Sequence, residues 1–173
     1  MEFRIVEAKP SDIETAYALF RQSTDWLKSK GLRGFDASEF YFEPSYVESV
    51  KRSMGKGEFF FVHDATDNSL VGMFKLQFQD EFTWAERGLD EKTAYIHALR
   101  IDRDKRGQGL GYLVLAAVEK QLRKKGIAKL RIDCNVANKD LCGYYEKYGF
   151  VPQGAVFIKE YNATEMLFEK PIT

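Results

Sequence analysis

The sequence predicts a mixed α/β domain of about seven strands and four helices, on three observations. Short runs of aromatic and β-branched residues alternate with stretches of helical 3–4 spacing. The 173 residues suffice for one core and suggest a single domain over the whole chain. The 14 Phe and 9 Tyr favour a core containing β-structure over a plain helical bundle.

Phe3 to Glu7 alternates apolar and polar residues, as an opening strand does. Ser11 with Glu14 forms a capping-box signature, and a helix follows towards Lys28 with Ile13, Ala16, Tyr17, Phe20, Ser23, Thr24 and Leu27 on one face. Gly31 and Gly34 end it, and the stretch from Gly34 to Glu43 is aromatic and turn-rich. A short helix covers Tyr46 to Arg52. Glu58 to Asp64 and Leu70 to Gln79 are the arms of a hairpin, with Gly72 as its weak spot. Asp80 to Lys92 is polar and loop-like, and Ala94 to Ile101 returns to strand character. Leu110, Leu113, Val114, Ala117, Val118 and Leu122 then trace a helix. Its Arg123-Lys124-Lys125 end suits the negative pole of the helix dipole. A strand from Ile127 to Asn135, a helix from Asn138 to about Tyr148, and strands near Ala155–Tyr161 and Glu165–Glu169 complete the order. The strand–helix–strand part is expected to be parallel and right-handed.

Composition excludes several classes. Lys+Arg and Asp+Glu are both 26, so the electrostatic footprint of a general nucleic-acid binder is missing. No apolar run approaches the roughly 20 residues of a membrane span, and the amino terminus lacks a signal-peptide core, which points to a soluble cytoplasmic protein. The two cysteines, Cys134 and Cys142, form no disulfide framework and read as reduced, one on a strand and one on a helix. His63 and His97 join no metal-ligand spacing, so no metal is expected.

Chemistry concentrates at Ile96 to Gly126. Gly107, Gly109 and Gly111 stand at alternate positions between a strand and a helix. Such a loop lets the backbone approach a ligand, and the amides and dipole of the helix start favour an anion, most often phosphate. No Lys-Ser or Lys-Thr follows the glycines, so this is not a P-loop. Tyr112 occupies the third glycine position of a dinucleotide fingerprint, and five residues part Ile101 from Gly107, which argues against that reading too.

Arg106-Gly107-Gln108-Gly109-Leu110-Gly111 instead resembles the [QR]-x-x-G-x-[GA] signature of the Gcn5-related (GNAT) N-acetyltransferases. Asn138-Lys139-Asp140-Leu141-Cys142-Gly143-Tyr144-Tyr145-Glu146-Lys147-Tyr148-Gly149-Phe150 resembles the family's second motif, departing at Leu141, where a small residue is usual. The pair, joined by a helix and a strand, is far more specific than either motif. The resemblance implies an acyl-CoA N-acyltransferase fold, a central twisted mixed sheet flanked by helices, and acetyl-CoA as cosubstrate. It places the CoA pyrophosphate on amides of Gly107, Gln108, Gly109, Leu110, Gly111 and Tyr112, with Arg106 beside it. It lays the pantetheine arm along the backbone of Leu99, Arg100 and Ile101, with Asn138 capping its helix and touching that arm. Tyr145 matches the tyrosine that protonates the leaving thiolate.

For the base, Asp133 aligns with the acid of the ribosomal-protein N-terminal acetyltransferases. Tyr95 takes the place of the glutamate of the histone-acetylating branch. His97 shares the face of Tyr95 by strand alternation and ordinarily titrates near neutrality. A water relay would need none of the three. The resemblance places the acceptor among Trp26–Tyr46, Asp80–Asp90 and Gly154–Glu160. Trp26, Phe35, Phe40 and Tyr41 are candidates for pocket walls or, equally, for core packing; Glu39, Glu43, Asp80, Glu81 and Glu86 could attract a cationic amine, but a solvated acidic face is the preferred reading. The expected activity is acetyl transfer to a primary amine of a small molecule or peptide, by direct attack in a ternary complex. Relatives that pair through terminal strands make a homodimer an expectation. The alternatives are a non-catalytic acyl-CoA sensor, or transfer of another acyl group such as succinyl.

Overall fold

The computed structural model describes residues 1–32, 39–85 and 92–172, with Tyr161 described by its backbone alone. Seven strands form one mixed sheet in the order β1-β2-β3-β4-β5-β7-β6. They are β1 (Phe3–Glu7), β2 (Phe59–Asp64), β3 (Leu70–Gln77), β4 (Thr93–Ile101), β5 (Lys129–Asn135), β6 (Val151–Ile158) and β7 (Ala163–Pro171). The helices are α1 (Ile13–Ser29), α2 (Pro44–Gly55), α3 (Leu110–Lys124) and α4 (Lys139–Tyr148). Every element expected from the sequence is present. The chain groups into two compact units, residues 1–76 with 98–115, and residues 77–97 with 116–173.

In unit one, β1 pairs antiparallel with β2, and β2 with β3, with a register shift between Val62 and His63. The core gathers Ala16, Leu19 and Phe20 of α1, Val50 and Met54 of α2, and Phe59, Phe61 and Met73 of the strands. The helical face chosen from spacing is largely the buried one, with Leu19 added. α1 starts differently from expectation. Pro10–Asp12 form a single 3-10 turn, and the carboxylate of Asp12 accepts the Lys9 N–H at 2.8 Å, so Ser11 and Glu14 make no capping box. Pro44 opens α2 at a position where a missing N–H costs nothing. Gly72 is a requirement and not a weakness. A Cβ there would overlap the carbonyl oxygen of Arg100, so only glycine allows the backbone of β4 to come so near.

In unit two, β4 and β5 run parallel from Thr93↔Lys129 to Ile96↔Ile132. β5 pairs antiparallel with β7 from Lys129↔Pro171 to Asn135↔Glu165, and β6 closes the hairpin with β7. Alternation sorts β5 into two faces. Leu130, Ile132 and Cys134 are buried on one. Arg131, Asp133 and Asn135 project from the other. Arg131 is buried yet paired, with Nε 2.9 Å from Glu169 and Nη1 donating to the Tyr95 hydroxyl at 3.0 Å. Glu119, also buried, is met by Lys170 at 2.6 Å and Arg123 at 3.4 Å. Among the described residues no helix is long and apolar enough to cross a membrane.

Candidate active site

Unit one carries the glycine loop, and its approach is held firmly. The Asp102 carboxylate accepts from the Asp104 N–H at 3.1 Å, starting the turn Arg103–Lys105. The Arg103 N–H donates to the Gln22 side chain at 3.1 Å, and its guanidinium lies 3.9 Å above the Trp26 ring. Lys105 reaches Ser69 Oγ at 2.8 Å. Beyond these anchors Arg106, Gly107, Gln108 and Gly109 are exposed. Gly107 and Gly109 take φ of 78° and 68°, a region that side chains avoid, while no neighbouring atom comes within 4 Å of a Cβ built there. The glycines are thus needed for backbone direction, and the space above them is open. The Gly109 carbonyl accepts from Tyr112 and Leu113, so α3 begins on it with Leu110 buried. The amides of Leu110 and Gly111 come ahead of these bonds, where any helix start leaves N–H groups without an intrahelical acceptor.

The strand before the loop has two features. Ala98 adopts φ of 50°, an irregularity in β4 at a residue other than glycine. The Arg100 side chain turns back, with Nη1 donating to the Leu99 carbonyl at 3.1 Å and Nη2 to the Tyr41 hydroxyl at 3.4 Å. Leu99, Arg100 and Ile101 are half-buried. Tyr41 is core, stacked on Phe20, so its candidacy as a pocket wall gives way to packing. Glu39 is exposed and pairs with Lys28 and Arg21, an ordinary surface arrangement. Phe35 and Glu86 lie outside the described residues.

Unit two carries the titratable cluster. The register that sets Tyr95 opposite Arg131 places His97 and Asp133 two residues further along the same faces. His97 Nδ1 lies 3.2 Å from Asp133 Oδ1, and Nε2 lies 3.1 Å from Asp80 Oδ2. Asp80 is buried at the head of the loop after β3, where its other oxygen accepts from the amides of Phe82 and Thr83 at 2.9 and 2.8 Å. Burial opposes a charged imidazole, yet Asp133 and Asp80 outweigh it and push the pKa of His97 up to about 9. Burial also opposes ionisation of Asp80, but His97 and the two amides hold its carboxyl below the ordinary range. The two acidic side chains thus favour the charged imidazolium of His97, against the near-neutral titration that its residue type suggested.

Sequence reasoning put His97 on the face of Tyr95, took Asp133 from the family resemblance without joining the two, and favoured a solvated acidic surface for Asp80. The last reading is overturned, because Asp80 is buried against His97. Its one local signal was an Asp heading a loop, two and three residues before amides it caps. Donor atoms of Asp80, His97 and Asp133 lie within 4.8 Å of one another, close enough for a small cation, though each imidazole nitrogen already faces a carboxylate. Tyr95, at the family's glutamate position, is buried with its hydroxyl bonded to Arg131 and its ring 6.1 Å from Trp84.

α4 starts at Asn138, whose side chain accepts the Leu141 N–H at 3.2 Å as a helix cap. Tyr145 is buried in an aromatic group with Tyr144, Phe150 and Phe168, each with ring centroids 5.8 Å away.

Three comparisons bear on these features. Residues 21–150 match the family model described as "Acetyltransferase (GNAT) family", which spans both motifs up to Phe150. A curated relative, "Uncharacterized N-acetyltransferase YesJ" of Bacillus subtilis (strain 168), is 27% identical over 164 residues, covering 94% of this chain and 86% of its own. Among solved structures, a GNAT-family acetyltransferase from Listeria monocytogenes 4b F2365 superposes with a TM-score of 0.75 at 21% identity, over 99% of this chain and 95% of its own. A PaiA N-acetyltransferase from Thermoplasma acidophilum, solved in complex with coenzyme A, gives 0.73 at 20% identity over 99% of each chain.

Proposed function

Because the chain belongs to the acetyltransferase (GNAT) family and is an acetyl-CoA-dependent N-acetyltransferase, we propose that it acetylates a primary amine of a small molecule or peptide by direct attack on the bound thioester. The observation that carries the residue assignment is the pairing of two family motifs with a half-buried His97–Asp133 contact between β4 and β5.

In this reading the amides of Gly107 to Tyr112 bind the pyrophosphate, which the positive φ of Gly107 and Gly109 and the open space above them support. Arg106, exposed beside the loop, supplies a cation. The pantetheine arm lies along the backbone of Leu99, Arg100 and Ile101. The irregularity at Ala98 turns a β4 amide towards the thioester carbonyl, where it stabilises the developing oxyanion. Asn138 caps α4 and touches the arm. Tyr145 donates a proton to the departing CoA thiolate.

On the acceptor side the His97 cluster sets two acidic side chains, Asp80 and Asp133, against one imidazole ring. It draws in a cationic amine. A lysine-like amine, of pKa about 10.4, is neutral in about one molecule in 2,500 at pH 7, so a local increase in concentration matters. Once nitrogen bonds to the carbonyl carbon its N–H becomes far more acidic, and Asp133 takes the proton directly or through a water. His97 holds Asp133 in place.

The test is Tyr145→Phe. With acetyl-CoA and a panel of primary amines, thiol release is expected to fall by about 10²-fold or more while acetyl-CoA affinity by calorimetry stays within about twofold. Wild-type turnover in the variant would remove Tyr145 from the mechanism. Tight acetyl-CoA binding without thiol release from any amine would favour a non-catalytic sensor.

A further inference from the structure

The two cysteines, without a role in the chemistry above, meet in the fold. Cys134 of β5 and Cys142 of α4 place their sulfurs 3.5 Å apart, and Cys142 Sγ also lies 3.9 Å from the Asn135 carbonyl. We propose that Cys134 and Cys142 are a redox-modification site, forming a reversible intrachain disulfide on exposure to hydrogen peroxide that draws α4 towards β5.

The two thiols differ in a way that orders the steps. Cys134 is 3% exposed, whereas Cys142 is only half-buried. Burial first, then Cys142, Asp133 and Glu165, push the Cys134 thiol far up, so it stays protonated. Peroxide therefore reacts at Cys142. Its sulfur takes one oxygen, becoming a sulfenic acid, and peroxide is reduced to water. Cys134 sulfur then attacks Cys142 sulfur. The S–S bond forms, the S–O bond breaks, and the leaving hydroxide takes the Cys134 proton as a second water. Two thiols and one peroxide give one disulfide and two waters.

The bond has a mechanical consequence. A disulfide needs its sulfurs ~2.05 Å apart, so the pair must close by roughly 1.5 Å. β5 is fixed along its length by β7, with Cys134 opposite Met166. α4 is held by side-chain packing and its cap, so α4 is the partner that moves. Cys142 and Tyr145, three residues apart, share a helix face, and Asn138 starts the same helix. The effect on catalysis rests on the role assigned to Tyr145 above, whereas the bond and the helix displacement do not.

The experiment treats the full-length protein with hydrogen peroxide and follows peptide masses without reduction, together with amide hydrogen exchange over residues 139–148. A cross-linked peptide joining Cys134 to Cys142, lighter by two hydrogens and reversed by dithiothreitol, is expected, with exchange in α4 changed several-fold. Cys142→Ser, close in size and half-buried, should keep the reduced exchange pattern and ignore peroxide. Sulfinic acid at Cys142 with no cross-link would overturn the proposal, as would a cross-link that leaves exchange in α4 unchanged. Acetyl-transfer rates read alongside should fall in the oxidised wild type. If Tyr145→Phe proves fully active, the catalytic reading fails while the mass and exchange results still judge the disulfide.

Discussion

His97 binds two carboxylates from different parts of the chain, one on the neighbouring strand and one on a loop 17 positions back in sequence, numbered 80 against 97. Neither contact was legible beforehand, because strand alternation puts His97 on the face of Tyr95 but only the parallel register of β4 and β5 brings residue 97 beside residue 133. A loop carboxylate obeys no period. Removing its charge tests the arrangement directly. Asp80→Asn should lower the His97 pKa from about 9 towards its ordinary 6.5, since one of two anions favouring the imidazolium is gone. The imidazole proton signals in an NMR titration read this, and an unchanged midpoint would dismiss the contact. Tyr95 shows the converse case, where a site position by family likeness holds a phenol bonded to a buried arginine and serves packing.

α4 is the element on which the reading of the active site turns. Its start was legible from Asn138, because an Asn side chain satisfies an amide that the helix leaves open. Asn138→Ala should cost about 1 kcal/mol in urea unfolding, whereas Asn138→Asp keeps an acceptor and should restore most of it. If Asn138 also touches the pantetheine, the Asp variant will recover stability but keep a raised KM for acetyl-CoA. Full recovery of both would leave the cap as its whole role. α1 began otherwise than its Ser-x-x-Glu pattern implied, since Asp12 caps the turn that Pro10 starts. The observed cap, Lys9, lies two residues before Ser11, and the proline's fixed φ favours the earlier turn. Gly72 likewise reads as a flaw within its own strand and becomes a necessity only beside Arg100.

Across the molecule, stability should carry the signature of its buried charges. The folded pKa of His97 is raised above 6.5, so its contribution is full below that value and is lost as pH rises through about 9. Asp80 is shifted downward from 3.8, so its contribution is present above that value and lost on acidification. Urea midpoints should therefore fall between about pH 6 and about pH 10, and His97→Gln should flatten that fall. Equal slopes in both proteins would place the alkaline loss elsewhere. The sequence by itself determined the order of seven strands and four helices, the glycine loop and the family, because periodicity, capping and short motifs are written in neighbouring residues. Tertiary structure alone decided that Asp80 is buried on His97, that Gly72 admits Arg100, and that Cys134 meets Cys142. Each of these joins positions whose separation along the chain is unrelated to their distance in space, and packing is the only force that sets it.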